Sequence, residues 1–250
     1  MHYPVWLTRT LSILFGVGAM ALLQGAVAME WLSAYIVPTP VDMIATVPTL
    51  FRNEQLLEKF LLTFGITLSA ASLSVIIGVP MGWALYRFPV LGQAYEPWLG
   101  AVFSAPLILL YPLFMVIIGR NVFTILTIAV IAGVVPITLN TLQALRSVPP
   151  IYKRVAVSLG MSDRQLATKV LLPCSLPAIF TGIRLGLIYA MIYVIGTEYL
   201  VNMGGLGFLI NDLNSRYNIP GMYGAVLFVI LTSILFFALV EKAEQWLKSR

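Results

Sequence analysis

The chain has 250 residues, of which 60% are hydrophobic and only 10% are charged, and its mean hydropathy is +0.94. A soluble domain contains about 25% charged residues, so this composition excludes a soluble fold and indicates an integral membrane protein. The formal net charge of +5 does not indicate a nucleic-acid partner, because in a membrane protein the placement of the cations matters more than their sum.

Six stretches are apolar and long enough to cross a bilayer, whose hydrocarbon core of about 30 Å requires roughly 20 helical residues. They are 11–28, 60–85, 97–119, 121–145, 174–201 and 222–240. No polar stretch is long enough to form a soluble core, so residues 1–250 are predicted to form one all-α transmembrane domain with about six helices. The first stretch also has features of a secretory signal, since Arg9 precedes it and Ala26-Val27-Ala28 ends it, but its length suits a spanning helix.

The distribution of Lys and Arg predicts the orientation in the membrane. With six spans and a cytoplasmic N-terminus, ten of the 15 Lys and Arg residues lie on the cytoplasmic side, four lie on the other side, and Arg184 lies within a span. An excess of cations marks the cytoplasmic side, so we expect both termini in the cytoplasm. The segments at about 29–59 and 202–221 then lie outside, and the polar loop at about 146–173 lies inside.

This polar loop carries local signals for a helix, a tight turn and a second helix. Gly160 can adopt the left-handed conformation that ends a helix, so 151–159 is predicted to be a short helix. Ser162 and Gln165 have the spacing of a capping box, which starts the next helix. Pro173 cannot occupy a helix interior and is predicted to mark the entry into the fifth span.

The residues alone leave three interpretations of the loop open. Val155, Leu159, Leu166 and Val170 recur at helical spacing on the two segments, which is typical of amphipathic helices. The loop could lie at the lipid headgroups, bind DNA as a helix-turn-helix, or dock on a cytoplasmic partner. The DNA-binding interpretation is disfavoured because the membrane tethers the loop at both ends.

The spacing within the loop resembles the EAA signature of permease subunits of bacterial ABC importers. That signature reads E-A-A, three residues, G, nine residues, I-x-L-P, and Ala156, Gly160 and the run V-L-L-P at 170–173 stand at the same intervals. Arg154 stands at the glutamate position, Val155 at the first alanine and Val170 at the isoleucine. The runs IVPTPVDMIATVPTLF, GVPMGWALYRFPVLGQAYEPWLGAVFSAPLILLYPLFMVIIG and GTEYLVNMGGLGFLI are similar to the nitrate/sulfonate/taurine branch of these permeases.

The resemblance implies a type I ABC importer permease fold with a cytoplasmic coupling helix. It also implies contact with an ATPase subunit through the loop at 154–173. The residues expected at this contact are Arg154, Ala156, Gly160, Met161, Ser162, Arg164, Val170, Leu172 and Pro173. The sequence contains no G-x-x-x-x-G-K-[ST] phosphate-binding loop, so ATP and Mg²⁺ are expected on the partner ATPase and no cofactor on this chain.

The resemblance further implies the assembly and location of the protein. It implies a transport subunit rather than an enzyme, placed in the bacterial inner membrane among lipid. The expected partners are ABC ATPase subunits, a second permease copy and an extracytoplasmic substrate-binding protein, with no nucleic acid. The transported solute is expected to be small, organic, and polar or anionic.

Two charged residues interrupt the fifth predicted span. An ionised group in the membrane costs about 2.5 kcal/mol or more, and such groups usually face protein or a water-filled path. Arg184 and Glu198 are 14 residues apart, about 21 Å along a helix, so they cannot pair. Arg184 is expected to reach the cytoplasmic interface as an anchor. Glu198 is open to three interpretations: a carboxylate bonded to neighbouring groups, an outer gate, or a binding-protein contact.

The remaining candidates for the translocation path, besides Glu198, are polar, aromatic or sulfur-containing side chains within the spans. They are Tyr111, Met115, Asn140, Tyr189 and Tyr193, all of which helix packing would explain equally well. Gly204, Gly205 and Gly207 are predicted to form a tight outer turn, because a dinucleotide fingerprint needs a preceding strand.

Two other functional classes compete with the permease interpretation. No cluster of His, Cys or paired carboxylates suggests a metal, and no nucleophile stands with a base, which disfavours a membrane enzyme. An ion-coupled carrier or channel that uses Glu198 as a proton-relay carboxylate is the alternative function.

Overall fold

The computed structural model describes residues 5–31, 33 and 36–248. The ends of the chain at 1–4 and 249–250, predicted to be cytoplasmic, therefore lie outside the described residues. Within them the chain forms eleven α-helices and no strand, which confirms the all-α prediction. The helices are α1 Val5–Ala28, α2 Pro40–Asn53, α3 Leu56–Arg87, α4 Pro89–Ser104, α5 Tyr111–Ile118, α6 Val122–Arg146, α7 Pro150–Ser158, α8 Asp163–Leu166, α9 Leu172–Val201, α10 Gly205–Ser215 and α11 Ile219–Lys248.

Several helices are long and apolar enough to cross a membrane. In the part of the chain that the structure describes, four helical runs meet this criterion by length and composition, and a fifth is added if one bent pair counts as a single span. The four runs are Leu56–Arg87, Val122–Arg146, Asp163–Val201 and Ile219–Lys242. The apolar part of α1, Leu14–Ala28, is a shorter apolar helix. The structure thus holds four or five spans by this criterion, where the sequence predicts about six.

The third predicted span is not one straight helix. Residues 97–119 are divided between α4, a 3₁₀ turn at Leu107–Leu110 and α5, and the two parts differ in direction by 83°. Pro106 causes the break, because a proline disfavours the helical conformation in the residue before it. Ala105 accordingly is extended, with φ −72° and ψ 140°. With eight residues, α5 is only about 12 Å long and cannot span a bilayer alone.

The core of the bundle is α6, which packs against α3 on one side and α9 on the other. Small residues at intervals of four let these backbones approach closely, as in many membrane helix pairs. They are Ser74, Gly78 and Gly82 on α3, and Gly182, Gly186 and Ala190 on α9. At Gly78, for example, a Cβ atom would lie 2.9 Å from the Cβ of Ile137. The hydroxyl of Thr138 also donates to the carbonyl of Gly78 at 3.2 Å.

The helix of the fifth span begins before Pro173, not at it. The chain is helical without a break from Asp163 to Val201, and a π-helical turn, Ala167–Leu171, precedes the proline. In this turn the Leu172 N–H donates to the carbonyl of Ala167, five residues back. A proline ring clashes with the carbonyl four residues back in a regular α-helix, and the wider π turn relieves that clash. The prediction that Pro173 separates two helices is therefore wrong.

Both segments that were predicted to lie outside contain a helix at the same end of the bundle. We call this end, which carries α2 and α10, the outer end, and we call the opposite end the loop end. The two helices meet α3 and α11 around an apolar cluster. Its buried members are Leu50, Leu56, Leu206, Leu209, Leu213 and Ala225. The outer segments are therefore packed structure rather than free loops.

Candidate functional sites

The loop end presents an apolar face on α7. The side chains of Ile151, Tyr152, Val155, Val157 and Leu159 are each at least half exposed. Ala156 is the only residue of α7 that is buried, at 1% exposure. Large apolar side chains grouped on an exposed helix mark an interaction surface. At about 100° per residue, Ile151, Tyr152, Val155 and Leu159 lie within about 100° of one another around the helix, and we call these four the α7 face. Val157 lies on the other side of Arg154 and Ser158.

The end of α7 is a complete Schellman motif. The Met161 N–H donates to the carbonyl of Ala156 at 3.1 Å, and the Gly160 N–H donates to that of Val157 at 2.9 Å. Gly160 has φ +69°, the left-handed conformation in which only glycine avoids a steric penalty. A Cβ atom at Gly160 would meet nothing within 4 Å, so backbone conformation alone requires the glycine. The predicted helix end at this residue is confirmed.

The start of α8 is the capping box predicted from the sequence. The Gln165 N–H donates to the Ser162 hydroxyl at 3.3 Å, and the Ser162 N–H donates to the Gln165 side-chain oxygen at 2.9 Å. These two bonds satisfy amides that a helix start otherwise leaves unpaired. The angle between α7 and α8 is thus set by hydrogen bonds at both ends of the four-residue connection 159–162.

The loop is attached to the spans mainly by apolar packing. Leu145, Val148 and Leu171 form a buried cluster, against which Trp83 and Tyr86 pack.

Polar contacts add to this attachment. The Arg87 guanidinium lies 2.7 Å from the Asp163 carboxylate, but the two side chains are 60% and 78% exposed, and such surface pairs contribute about 0–1 kcal/mol. The Lys153 ammonium lies 5.2 Å from the ring centre of Tyr86, within the range of a cation–π contact.

The structure places the nine predicted ATPase-contact residues on one continuous segment but at different depths. Ala156 is turned inward, and Arg154 is exposed and makes no ion pair among the described residues. The others that are exposed are Gly160, Ser162, Arg164 and Pro173, whereas Met161, Val170 and Leu172 are partly buried. A partner on this side would therefore meet the α7 face and the turn, not Ala156.

Glu198 is sealed inside the outer end of the bundle, with 0% exposure. The Thr63 hydroxyl of α3 lies 2.9 and 2.8 Å from the two carboxylate oxygens. The Gly207 N–H of α10 donates to the same carboxylate at 3.0 Å, and the Leu206 N–H donates to the Thr63 hydroxyl at 2.8 Å. Of the predicted roles, this geometry corresponds to a carboxylate bonded to its neighbours.

Of the three glycines predicted to form a tight outer turn, only Gly204 lies in the connection between α9 and α10, whereas Gly205 and Gly207 belong to the first turn of α10 and make room for this carboxylate. Gly204 and Gly205 have φ +92° and +83°. A Cβ atom on Gly205 would overlap the Glu198 carboxyl group, and one on Gly207 would overlap the backbone of Ile195. Thr63 is the partner that sequence reasoning missed, and nothing in the sequence marks it, because it lies 135 residues from Glu198.

Arg184 has partners in α11 that the sequence did not reveal. Its guanidinium lies 3.6 Å from the carboxylate of Glu244 and 3.9 Å from that of Glu241. Glu244 is buried, at 6% exposure, and also accepts a hydrogen bond from the Thr181 hydroxyl at 3.2 Å. These contacts join α9 to α11 at the loop end.

Of the predicted path residues, the structure brings together only Tyr111 and Met115. Both line a cleft of about 450 Å³ at the outer end. The cleft also includes Pro112, Val116, Arg120, Leu200, Val201 and Asn202. Arg120, another residue that sequence reasoning missed, donates to the carbonyls of Val201 and Asn202 at 2.8 and 3.0 Å, and so closes the C-terminal end of α9.

The other path candidates are engaged in packing at separate places. The ring of Tyr189 lies 5.0 Å from that of Phe103, and Tyr193 packs against a buried cluster between α3, α6 and α9. The Asn140 side chain donates to the carbonyl of Pro136, one turn earlier, at 2.8 Å. The single chain therefore does not assemble these side chains into one pocket.

Comparison with known proteins identifies a family and several relatives. Residues 74–250 match the family model described as "Binding-protein-dependent transport system inner membrane component". The chain is 27% identical over 211 residues to "Formylaminopyrimidine transport permease protein ThiX" of Halalkalibacterium halodurans, covering 84% of each. It is 27% identical over 224 residues to "Riboflavin transport system permease protein RibX" of Chloroflexus aurantiacus, covering 90% of this chain and 84% of that protein. It is 27% identical over 177 residues to "Bicarbonate transport system permease protein CmpB" of Synechococcus elongatus, covering 70% and 64%.

Solved structures show the same fold. The chain resembles a chain of the solved structure "Inward facing conformations of the MetNI methionine ABC transporter", with a TM-score of 0.66 and 22% identity. The match covers 77% of this chain and 94% of the chain in that structure. It also resembles one in "Crystal structure of an amino acid ABC transporter with histidines", with a TM-score of 0.61 and 17% identity, over 79% and 96%. The expected type I ABC importer permease fold is confirmed.

Proposed function

The chain belongs to the family of binding-protein-dependent transport system inner membrane components, and from this premise we propose how it works as a permease of an ABC importer. It forms the translocation path for a small polar or anionic organic solute. It couples to a separate ATPase subunit through the loop at 154–173. In this role it moves with its partner and forms or breaks no covalent bond itself.

The α7 face is the observation that carries the coupling proposal. Four apolar side chains are exposed there, where a loop that only joined two spans would be expected to expose polar ones. The Schellman motif and the capping box hold α7 at a defined angle to α8. A rigid apolar ridge suits a groove on a cytoplasmic protein, because it can pass a rigid-body displacement from one subunit to the other.

The names of the relatives support the proposed solute class. Formylaminopyrimidine, riboflavin and bicarbonate are all polar or anionic, and the first two are organic. The relatives are about 27% identical, so the solute of this chain is proposed as a class rather than as one compound.

We further propose a complete importer built around this subunit. It contains two copies of the permease, ABC ATPase subunits that bind ATP and Mg²⁺, and an extracytoplasmic substrate-binding protein, while the permease binds no cofactor or nucleic acid. The subunit lies among lipid in the bacterial inner membrane with both termini in the cytoplasm.

The alternative of an ion-coupled carrier is not favoured. A relay carboxylate must exchange protons with water on both sides of the membrane. Glu198 is fully buried, and both of its carboxylate oxygens are within hydrogen-bond distance of the Thr63 hydroxyl.

Co-purification tests the coupling proposal. The tagged chain, extracted from its native membrane, should carry with it an ATPase that has a phosphate-binding loop. Val155→Asp puts a charge on the α7 face and should remove at least about 90% of the bound ATPase, since burying an unpaired charge costs several kcal/mol. Gln93→Asp, which adds a charge at an exposed position of α4, is the matched control and should leave the complex intact. Equal recovery of the ATPase with both variants would contradict the proposal.

A thermal-shift measurement on the partner binding protein tests the solute class. The probes are formylaminopyrimidine, riboflavin and bicarbonate. Stabilisation by a polar or anionic probe is expected, and stabilisation only by apolar compounds would contradict the proposed class.

A further inference from the structure

The short outer helix α10 lacks an N-terminal cap of its own. The residue before it is Gly204, which has no side chain to accept the first amides of the helix. Those amides are buried at the outer end, where water cannot satisfy them, and an unpaired buried amide is costly. Side chains from two other helices must therefore satisfy them.

Thr63 of α3 and Glu198 of α9 provide this cap from outside. Thr63 accepts the N–H of Leu206, and Glu198 accepts that of Gly207. A carboxylate at a helix N-terminus also interacts favourably with the positive end of the helix dipole. One hydroxyl and one carboxylate thus connect three elements, and both side chains have 0% exposure.

The Glu198 carboxylate is packed tightly against the first turn of α10. Gly205 and Gly207 lie so close to α9 that any side chain on them would overlap Glu198 or the α9 backbone. Beyond this contact, α10 buries Leu206, Leu209 and Leu213 in the outer cluster.

The far end of α10 is held as well. Arg216, directly after the helix, lies 2.9 Å from Glu54 and 2.5 Å from Asp212. This second attachment is partly exposed and therefore weaker than the sealed one. The N-terminal contact is thus the stronger of the two polar attachments of α10.

We infer that Glu198 and Thr63 are positioning residues that attach α10 to the outer ends of α3 and α9, so that these three segments move as one body during transport. This inference rests on the proposed function, because the motion in question is that of an importer. Glu198 acts here through α10 rather than by contacting the solute or carrying a proton.

The experiment compares Thr63→Val with Thr63→Ser in the full chain with its co-purified ATPase. Valine has the shape of threonine without the hydroxyl, whereas serine keeps it. The background substitution Cys174→Ser removes the single cysteine of the chain. Spin labels are then attached at Asn214→Cys on α10 and Phe123→Cys on α6, both exposed positions, and the distance between the labels reports the position of α10. Coupling is measured as the rate of ATP hydrolysis by the complex when its binding protein, purified from the same host, is added.

We expect the same set of narrow distances, within and between the two permease copies, in the parent and in Thr63→Ser, and broader or shifted distances in Thr63→Val. Stimulated ATP hydrolysis should fall about tenfold in Thr63→Val, the ratio that corresponds to loss of one buried hydrogen-bond partner, and serine should restore it. Parent-like distances and activity in Thr63→Val would overturn the inference.

Glu198→Met, of similar length but without an oxygen acceptor, provides the second test and decides the matter if Thr63→Val does not accumulate in the membrane. We expect a changed distance distribution together with reduced activity. Loss of activity with an unchanged distance would show that the charge acts by itself and would overturn the inference. Failure of the unmodified chain to bind an ATPase would instead contradict the proposed function, while the distance measurement would still test the attachment.

Discussion

Gly160 is the residue whose backbone conformation most restricts what can replace it in the loop. Its φ of +69° is left-handed, and nothing nearby would block a side chain. Substitutions there therefore test conformation separately from packing. Asparagine tolerates the left-handed region better than other non-glycine residues, and β-branched residues tolerate it worst.

We predict that Gly160→Val leaves the permease in the membrane but reduces ATP hydrolysis stimulated by the binding protein by about tenfold or more, because left-handed strain of about 1–3 kcal/mol opens the turn. Gly160→Asn should retain most of the stimulation. Immunoblots of the membranes provide the control for insertion. Equal activity of the valine and asparagine variants would show that the turn angle does not matter for coupling.

Arg154 is the residue at which the loop departs most from the EAA signature. It is exposed and makes no ion pair among the described residues, so its charge faces whatever covers the α7 face. A partner groove that fits this chain should therefore present acidic or aromatic groups at that point, since both attract a guanidinium.

At the scale of elements, the contact between α9 and α11 depends on charges as well as on packing. Arg184 and Glu244 lie 3.6 Å apart, with Glu244 buried. Breaking a buried ion pair from one side leaves an uncompensated charge and costs more than breaking an exposed pair. The pair formed by Arg87 and Asp163 is exposed and serves as the comparison.

We predict that Arg184→Glu lowers the free energy of unfolding of the purified permease by more than Arg87→Glu does, because it places a third carboxylate beside Glu241 and the buried Glu244. The double variant Arg184→Glu, Glu244→Arg should recover part of the loss, with a coupling energy of about 0.5–3 kcal/mol. Arg87→Glu should cost under about 1 kcal/mol. Additive losses in the double variant would show that the two side chains do not interact.

For the whole molecule, the sequence predicted the features that depend on neighbouring residues. The composition indicated an all-α membrane protein. The end of α7 followed from Gly160 and the start of α8 from Ser162 and Gln165, because caps are local hydrogen-bond patterns. The contact between Thr63 and Glu198 could not be predicted, since no local pattern specifies which distant helix a buried carboxylate meets. The bend had a local signal in Pro106, but the third span was predicted from hydropathy alone, which does not register the bend.

The orientation of the whole chain is predicted from its cations and can be tested directly. In a Cys174→Ser background, which removes the single cysteine of the chain, Gln93→Cys on α4 should react with a membrane-impermeant maleimide only from the cytoplasmic side. Asn214→Cys on α10 should react only from the outer side. Both positions are exposed, so access to water rather than burial decides the result. The reverse pattern would invert the proposed topology.

The π turn before Pro173 also sets the rotational phase of the helix that contains it. It holds one residue more per turn than an α-helix, and each residue of an α-helix advances by about 100°. Compared with a regular α-helix of the same sequence, the π turn therefore rotates the residues before 167 relative to the residues after 171. Had the same residues been wound as a regular α-helix, α8 would be turned by roughly a quarter of a revolution relative to α9. The direction in which the loop points is thus set separately from the face of α9 that meets α6.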